Sequence, residues 1–270
     1  MAVAFSSGFA GSEEIVAPRR IASVNLCADQ LLLALAPAEK IAALGPFARD
    51  PALSFLAQIA DRFPQLNGRS EELLRVKADA VAVGPFDNKF MRASLGRRDI
   101  VEIVVDRWTS LREVRRGVEV FARQIGEPAK GAVLLGEIDS ALREFRGGGP
   151  PAGLVSFLIL HRRGFVGQGG LVSEILETAG LRDVAKTASA RFMGAEDVIA
   201  LRPDFLVVTE RHFKAEDRGQ ELLEHPALRS LYPDSRRLIA PDRLTICAGP
   251  STPALVRALK SELDQKLTRQ

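Results

Sequence analysis

The segment EELLRVKADAVAV, from Glu71 to Val83, returns as EDVIALRPDFLVV from Glu196 to Val208, at a constant offset of 125 residues and without a gap. Glu71/Glu196, Asp79/Asp204 and Val83/Val208 are identical. Glu72/Asp197, Leu73/Val198, Leu74/Ile199, Val76/Leu201, Lys77/Arg202 and Val81/Leu206 keep their chemistry. Each copy reads as a helix with acids in its first turn, followed by a buried strand. A chain that builds this unit twice is constrained to two related lobes. Its 270 residues suffice for two cores of about 120 residues each.

The sequence around each copy supports the same plan. In the first half, Ile21–Val24, Ile41–Gly45, Ala80–Val83 and Ile100–Val105 are short apolar strands, with a helix expected over Asp29–Ala36. In the second half, Leu154–Leu160 and Arg237–Ala240 are strands, and Leu171–Gly180 and Thr252–Lys266 are helices. Apolar strands alternating with helices predict parallel βαβ units rather than an antiparallel sheet. Between the halves, Ser110 to Glu113 fits a capping box that opens a helix, and Pro128 suits the first turn of a second helix reaching Arg146. Nineteen helical residues span about 28 Å, enough to brace two lobes. The expected division is a terminal segment 1–17, an N-terminal α/β lobe 18–109, a connecting helical segment 110–149 and a C-terminal α/β lobe 150–270.

Several function classes are excluded or disfavoured. The net charge is +3, from 37 basic and 34 acidic side chains interleaved along the chain. No basic stripe suits nucleic acid. No apolar run approaches the roughly 18 residues of a membrane span. MAVAFSSGFAGSEE has a short apolar stretch, Ala2–Ala10, that reads either as the end of a clipped secretory signal without its basic n-region or as a disordered terminus. GQGGLV places Val172 where a dinucleotide-binding loop needs glycine, and neither a phosphate-binding loop nor a nucleophile elbow occurs. His161, His212 and His225 have no metal-ligand spacing. No catalytic residue, metal site or resident cofactor is expected. Cys27 and Cys247 form no disulfide framework and are expected to be buried free thiols.

Candidate binding residues come from the loops that follow the strands, because open α/β sheets bind ligands beyond strand C-termini. The first half offers Asn25, Phe86, Asp87, Arg107 and Trp108. The second offers His161, Arg162, Phe165, Arg211, His212 and Arg243. Aromatics and arginines together suit a bulky ligand with a flat face and anionic groups.

RRIASVNLCADQLLLAL, GRSEELLRVKADAVAVGP and GAEDVIALRPDFLVVTE together resemble the substrate-binding proteins of bacterial ABC importers for cobalamin and ferric siderophores, the class III periplasmic binding proteins. The resemblance covers about residues 18 to 267, and its most specific element is the paired E-x-x-x-x-[VL]-[KR]-x-D before a strand. Ala78 stands where the family usually has proline. The resemblance implies two Rossmann-like parallel-sheet lobes joined by a rigid helix, with a ligand between them and little closure motion. It implies a periplasmic monomer that serves an ABC permease and its ATPase in the inner membrane. Glu71 and Glu196, one per lobe, would meet permease arginines.

The expected ligand is a corrinoid or a ferric siderophore, with Trp108 and Phe86 favouring the corrinoid. One alternative is a haem carrier with His161 or His212 as axial ligand, since Tyr232 lies in a Leu-Tyr-Pro turn. Another is a two-lobed enzyme such as a metal chelatase, against which the scarcity of histidine argues.

Overall fold

The computed structural model describes residues 17–67, 69–87, 89–95, 100–150, 154–160, 165–166, 169–187, 191–209 and 222–268. The first lobe contains β1 (Ile21–Ser23), α1 (Leu26–Leu35), β2 (Ile41–Ala43), α2 (Ala57–Ala60), α3 (Ser70–Arg75), β3 (Ala80–Val83), α4 (Lys89–Leu95) and β4 (Val101–Val104). Two helices follow, α5 (Leu111–Gln124) and α6 (Pro128–Gly148). The second lobe contains β5 (Ser156–Ile159), β6 (Phe165–Val166), α7 (Leu171–Thr178), β7 (Arg182–Asp183), β8 (Arg191–Phe192), α8 (Ala195–Leu201) and β9 (Phe205–Thr209). It ends with α9 (Pro226–Leu231), β10 (Arg237–Ala240), α10 (Asp242–Thr245) and α11 (Thr252–Leu267).

Each lobe is built on its own four-stranded parallel sheet, in the order β2-β1-β3-β4 in the first and β10-β9-β5-β7 in the second. Numbered within each lobe, both orders are 2-1-3-4, and among the described residues neither sheet borrows a strand from the other half. Among the described residues only β6 and β8 pair antiparallel, as a small addition to the second lobe.

The repeated segment explains this likeness residue by residue. Glu72 and Asp197 occupy the third position of α3 and α8 and cap them. Glu72 accepts from the Asn67 and Arg69 backbone N–H groups at 2.7 and 3.2 Å, and Asp197 accepts from the Gly194 N–H at 3.0 Å. Lys77 and Arg202 end the two helices in the left-handed region, at φ 50° and 47°. That reversal turns the chain into the following strand. Asp79 then accepts from the Arg19 and Arg20 N–H groups at 2.8 and 2.9 Å. Its equivalent Asp204 accepts from the N–H and hydroxyl of Ser156 at 2.7 and 2.6 Å. Each aspartate thus ties the start of the third strand to the start of the first.

Helix α6 belongs to both cores. Leu134, Leu135 and Ile138 pack with Ile21 and Leu31 of the first lobe and with Phe121 of α5. Ala141 and Phe145, one to three turns later, pack with Phe157, Phe205 and Leu255 of the second. Burial of a side chain such as Phe145 stabilises the fold by roughly 1.5–3 kcal/mol, so α6 is anchored at both ends. Ser110 caps α5 by accepting from the Glu113 N–H at 3.2 Å, as its spacing predicts. The Glu113 carboxylate reaches one residue further back than expected, to the N–H and hydroxyl of Thr109, and these bonds lower its pKa.

The expectation of free thiols fails. Cys27 in α1 and Cys247 in the loop before α11 are joined by a disulfide, with Cα atoms 5.1 Å apart and 220 residues of separation. Sequence spacing carries no sign of this pair, because only the packing of one lobe on the other brings the two positions together.

Candidate functional site

Parallel order puts the C-terminal ends of all strands in one sheet at the same edge. In the first lobe, β1 runs into Asn25, which caps α1 by accepting from the Cys27 and Ala28 N–H groups at 3.0 and 3.3 Å. β3 runs into Gly84, Pro85, Phe86 and Asp87, and the Asp87 carboxylate accepts from the Gly84 N–H at 2.6 Å. Asn25 and Asp87 lie together over Gly84. A Cβ at Gly84 would sit 2.5 Å from Asn25 Nδ2 and 3.3 Å from Asp87 Oδ1. Three of the candidate residues, Asn25, Phe86 and Asp87, are therefore neighbours at one edge.

Beneath that edge lies a group that the motif reading missed. Asp29, in the first turn of α1, is fully buried. Its Oδ1 accepts from the Gly45 N–H at 2.9 Å, while Oδ2 has no hydrogen-bond partner among the described residues. Burial pushes its pKa up to about 6. The Gly45 hydrogen bond and the polar Ser23 side chain oppose that rise, and the charge of Asp87 adds to it. An acid in the first turn of a helix is ordinarily exposed, so composition and spacing could not mark this one as buried.

Phenylalanines also crowd this edge. Phe86 is 93% exposed and Phe90, in the first turn of α4, is 88% exposed. Phe47, in the loop after β2, is 56% exposed. β2 and β3 flank β1, and strands in a sheet lie about 4.8 Å apart. The Phe47 and Phe86 loops therefore rise on either side of Asn25. Phe47 and Phe90 escaped the sequence reading because a phenylalanine in a loop or a short helix is more often core than surface.

After β4 come Asp106, Arg107 and Trp108. Arg107 is exposed and Trp108 half-buried. The indole fills a slot between the lobes' elements. A Cβ at Gly117 of α5 would lie 2.0 Å from Trp108 Cε2, and one at Gly249 of the second lobe 3.3 Å from Cζ3. Glycine at 117 is thus required by the close approach of the ring. Arg107 and Trp108 also line a cavity of about 440 Å³ with Asp106, Glu113, Arg116 and Gln124.

In the second lobe, Arg243 is exposed on α10, directly after β10. His161, Arg162, Arg211 and His212 lie outside the described residues, as does the side chain of Phe165. Tyr232 is buried in the core with Leu158 and Leu206, and the Arg236 guanidinium lies 4.9 Å from its ring centroid. It is therefore no ligand-facing tyrosine. His225 precedes Pro226 and sits at the N-cap position of α9. Among the described residues no group of three or more His, Cys, Asp or Glu is arranged to hold a metal. None of their helices is long and apolar enough to cross a membrane.

The acids of the repeat separate by role. Glu72 and Asp197 cap their own helices, and the hydrogen bonds to Glu72, first the Asn67 side-chain amide, lower its pKa. Glu71 and Glu196 are exposed, one residue earlier in each helix. Neither carboxylate is hydrogen-bonded or ion-paired to a described residue.

No protein-family model and no curated protein matches the sequence. Solved structures do match over nearly the full length. A periplasmic heme binding protein from Pseudomonas aeruginosa is 18% identical with a TM-score of 0.68, covering 91% of this chain and 92% of that one. A possible iron-binding periplasmic solute-binding protein from Staphylococcus epidermidis is 14% identical with a TM-score of 0.73, over 92% and 98%. The periplasmic vitamin B12 binding protein of Vibrio cholerae is 16% identical with a TM-score of 0.64, over 93% and 98%. The chain has the two-lobed α/β fold of the class III periplasmic binding proteins, as the repeated motif implied.

Proposed function

We propose that the protein is an extracytoplasmic substrate-binding protein that holds a metal-bearing macrocycle between its lobes and delivers it to an ABC permease and its ATPase. The observation that carries this reading is the division of labour in the repeated acids. Each lobe uses its second acid to cap a helix and leaves the first, Glu71 or Glu196, exposed at the same structural position. A two-fold permease presents equivalent basic pockets, and a pseudo-symmetric carrier docks with one carboxylate per lobe.

The exposed Phe47, Phe86 and Phe90 suit the flat face of a corrinoid. The candidate arginines, Arg107, Arg162, Arg211 and Arg243, would meet peripheral anionic groups. Ferric siderophores fit the arginines but leave the aromatic edge unused. Haem is the second reading, favoured by neighbours of the same fold that are heme-binding proteins. It would draw its axial ligand from His161 or His212, since Tyr232 is buried. An inter-lobe disulfide suits an oxidising compartment, in keeping with a location outside the cytoplasm.

Titration of cyanocobalamin, haemin and a panel of ferric siderophores against tryptophan fluorescence tests the reading. Saturable binding of cyanocobalamin or haemin, lost in Phe86→Ala, is the expected outcome, and binding of a ferric siderophore alone would overturn the macrocycle. Binding of none would overturn it.

A further inference from the structure

We infer that the Cys27–Cys247 disulfide, with the loop it anchors, is a second joint between the lobes that fixes the aperture of the cleft. A single helix rooted in both cores, as α6 is, still permits rotation of one lobe about the helix axis. A second attachment away from that axis removes this freedom. The loop from Ile246 to Pro250 supplies it.

Within its own lobe the loop is firmly held. The Ile246 N–H donates to the Asp242 carbonyl at 2.9 Å, the Gly249 N–H to Thr252 Oγ1 at 2.9 Å, and the Ser251 hydroxyl to the Leu244 carbonyl at 3.1 Å. Gly249 turns the loop at φ +101°, and a Cβ there would meet Leu31 Cδ2 and Trp108 Cζ3, each at 3.3 Å. Leu31 lies four residues after Cys27 on α1, hence on the same face of that helix. The loop therefore meets the first lobe by a covalent bond and by packing, at adjacent points of one helix face.

Its position matters for binding. Cys27 lies two residues after Asn25, at the candidate edge of the first lobe, and Cys247 lies four residues after Arg243, at that of the second. The bridge thus links the two ligand-facing edges by a short covalent path. A polar tie, from the Leu111 N–H to Glu174 at 2.7 Å, joins α5 to α7 elsewhere and is weaker than a covalent bond. The inference does not depend on which ligand is bound.

The single tryptophan in the chain sits at this joint and reports on it. Native protein is treated with dithiothreitol, which closes to its own cyclic disulfide as two electrons and two protons pass to Cys27 and Cys247. Thiol titration confirms that both sulfhydryls are released. Acrylamide quenching of Trp108 should then rise about twofold and its emission shift to the red, because the loop leaves the indole, while far-UV circular dichroism stays unchanged. The Cys27→Ser, Cys247→Ser double variant should behave like the reduced protein. Two titrated thiols with unchanged quenching would overturn the inference, since packing alone would then hold the joint. Loss of the circular dichroism signal on reduction, or a double variant that does not fold, would also overturn it by making the bridge a support of the lobes themselves.

Discussion

The two lobes share a strand order, a left-handed helix end and an aspartate tie, yet they fasten their first helix to their second strand differently. In the C-terminal lobe, the Ser173 hydroxyl of α7 donates to Asp183 of β7 at 2.6 Å, and Asp183 also accepts from the Ala185 N–H at 2.8 Å. Both carboxylate oxygens are used. In the N-terminal lobe the acid is on the helix instead. Asp29 of α1 reaches the Gly45 N–H after β2, and its other oxygen has no partner among the described residues. The same mechanical task is done once by a satisfied pair and once by a carboxylate that burial drives toward neutrality. The unsatisfied version lies under the edge with the exposed phenylalanines. Lobes duplicated for structure have diverged where binding is proposed.

The contrast is most strongly tested at Asp29. In the folded chain it binds its proton near pH 6, against an ordinary value of 3.8. Folding is favoured by this proton at low pH and loses that advantage as pH rises from about 4 to 6, a change of about 2–3 kcal/mol. Asp29→Asn stays neutral, so its stability relative to the native chain should rise across that window and then level off. Urea midpoints at several pH values measure this, and a pH-independent difference would mean that Asp29 is not held near neutrality.

The shared aspartate tie is the next test. Asp204 holds a partly buried pair of bonds, whereas those of Asp79 are exposed. Asp204→Ala should cost about 2–3 kcal/mol and Asp79→Ala about 1 kcal/mol. Equal losses in chemical denaturation would show that burial does not distinguish the lobes here.

The helix ends offer a smaller effect of the opposite sign. Lys77→Gly and Arg202→Gly relieve the left-handed backbone and should each stabilise by up to about 1 kcal/mol. Destabilisation in either lobe would reveal a side-chain contribution that outweighs the backbone term. Smallest of all on stability are Glu71→Ala and Glu196→Ala, expected within about 0.5 kcal/mol of the native chain. Uptake by a reconstituted importer should instead fall for each and most for the double variant, with ligand binding retained. If ligand binding collapses while docking survives, these acids belong to the cleft.

Much of this was written in local sequence. Four-residue apolar runs such as AVAV and RLIA became strands at those residues, and Ser110 and Pro128 opened the two connecting helices, because capping and periodicity act over a single turn or pleat. The repeat disclosed two lobes, since the αL turn at Lys77 and Arg202 is made within one unit, while the ties of Asp79 and Asp204 reach back to the start of the first strand of the same lobe. Only tertiary structure decided the rest. Cys27 meets Cys247 across 220 residues, Trp108 lies in a slot made by Gly117 of α5 and Gly249 before α11, and Asp29 is covered by a loop that follows another strand. Each outcome depends on how separate elements pack. No periodicity or spacing records that, because contact between distant segments is settled by the summed burial of the whole core and not by the residues that happen to touch.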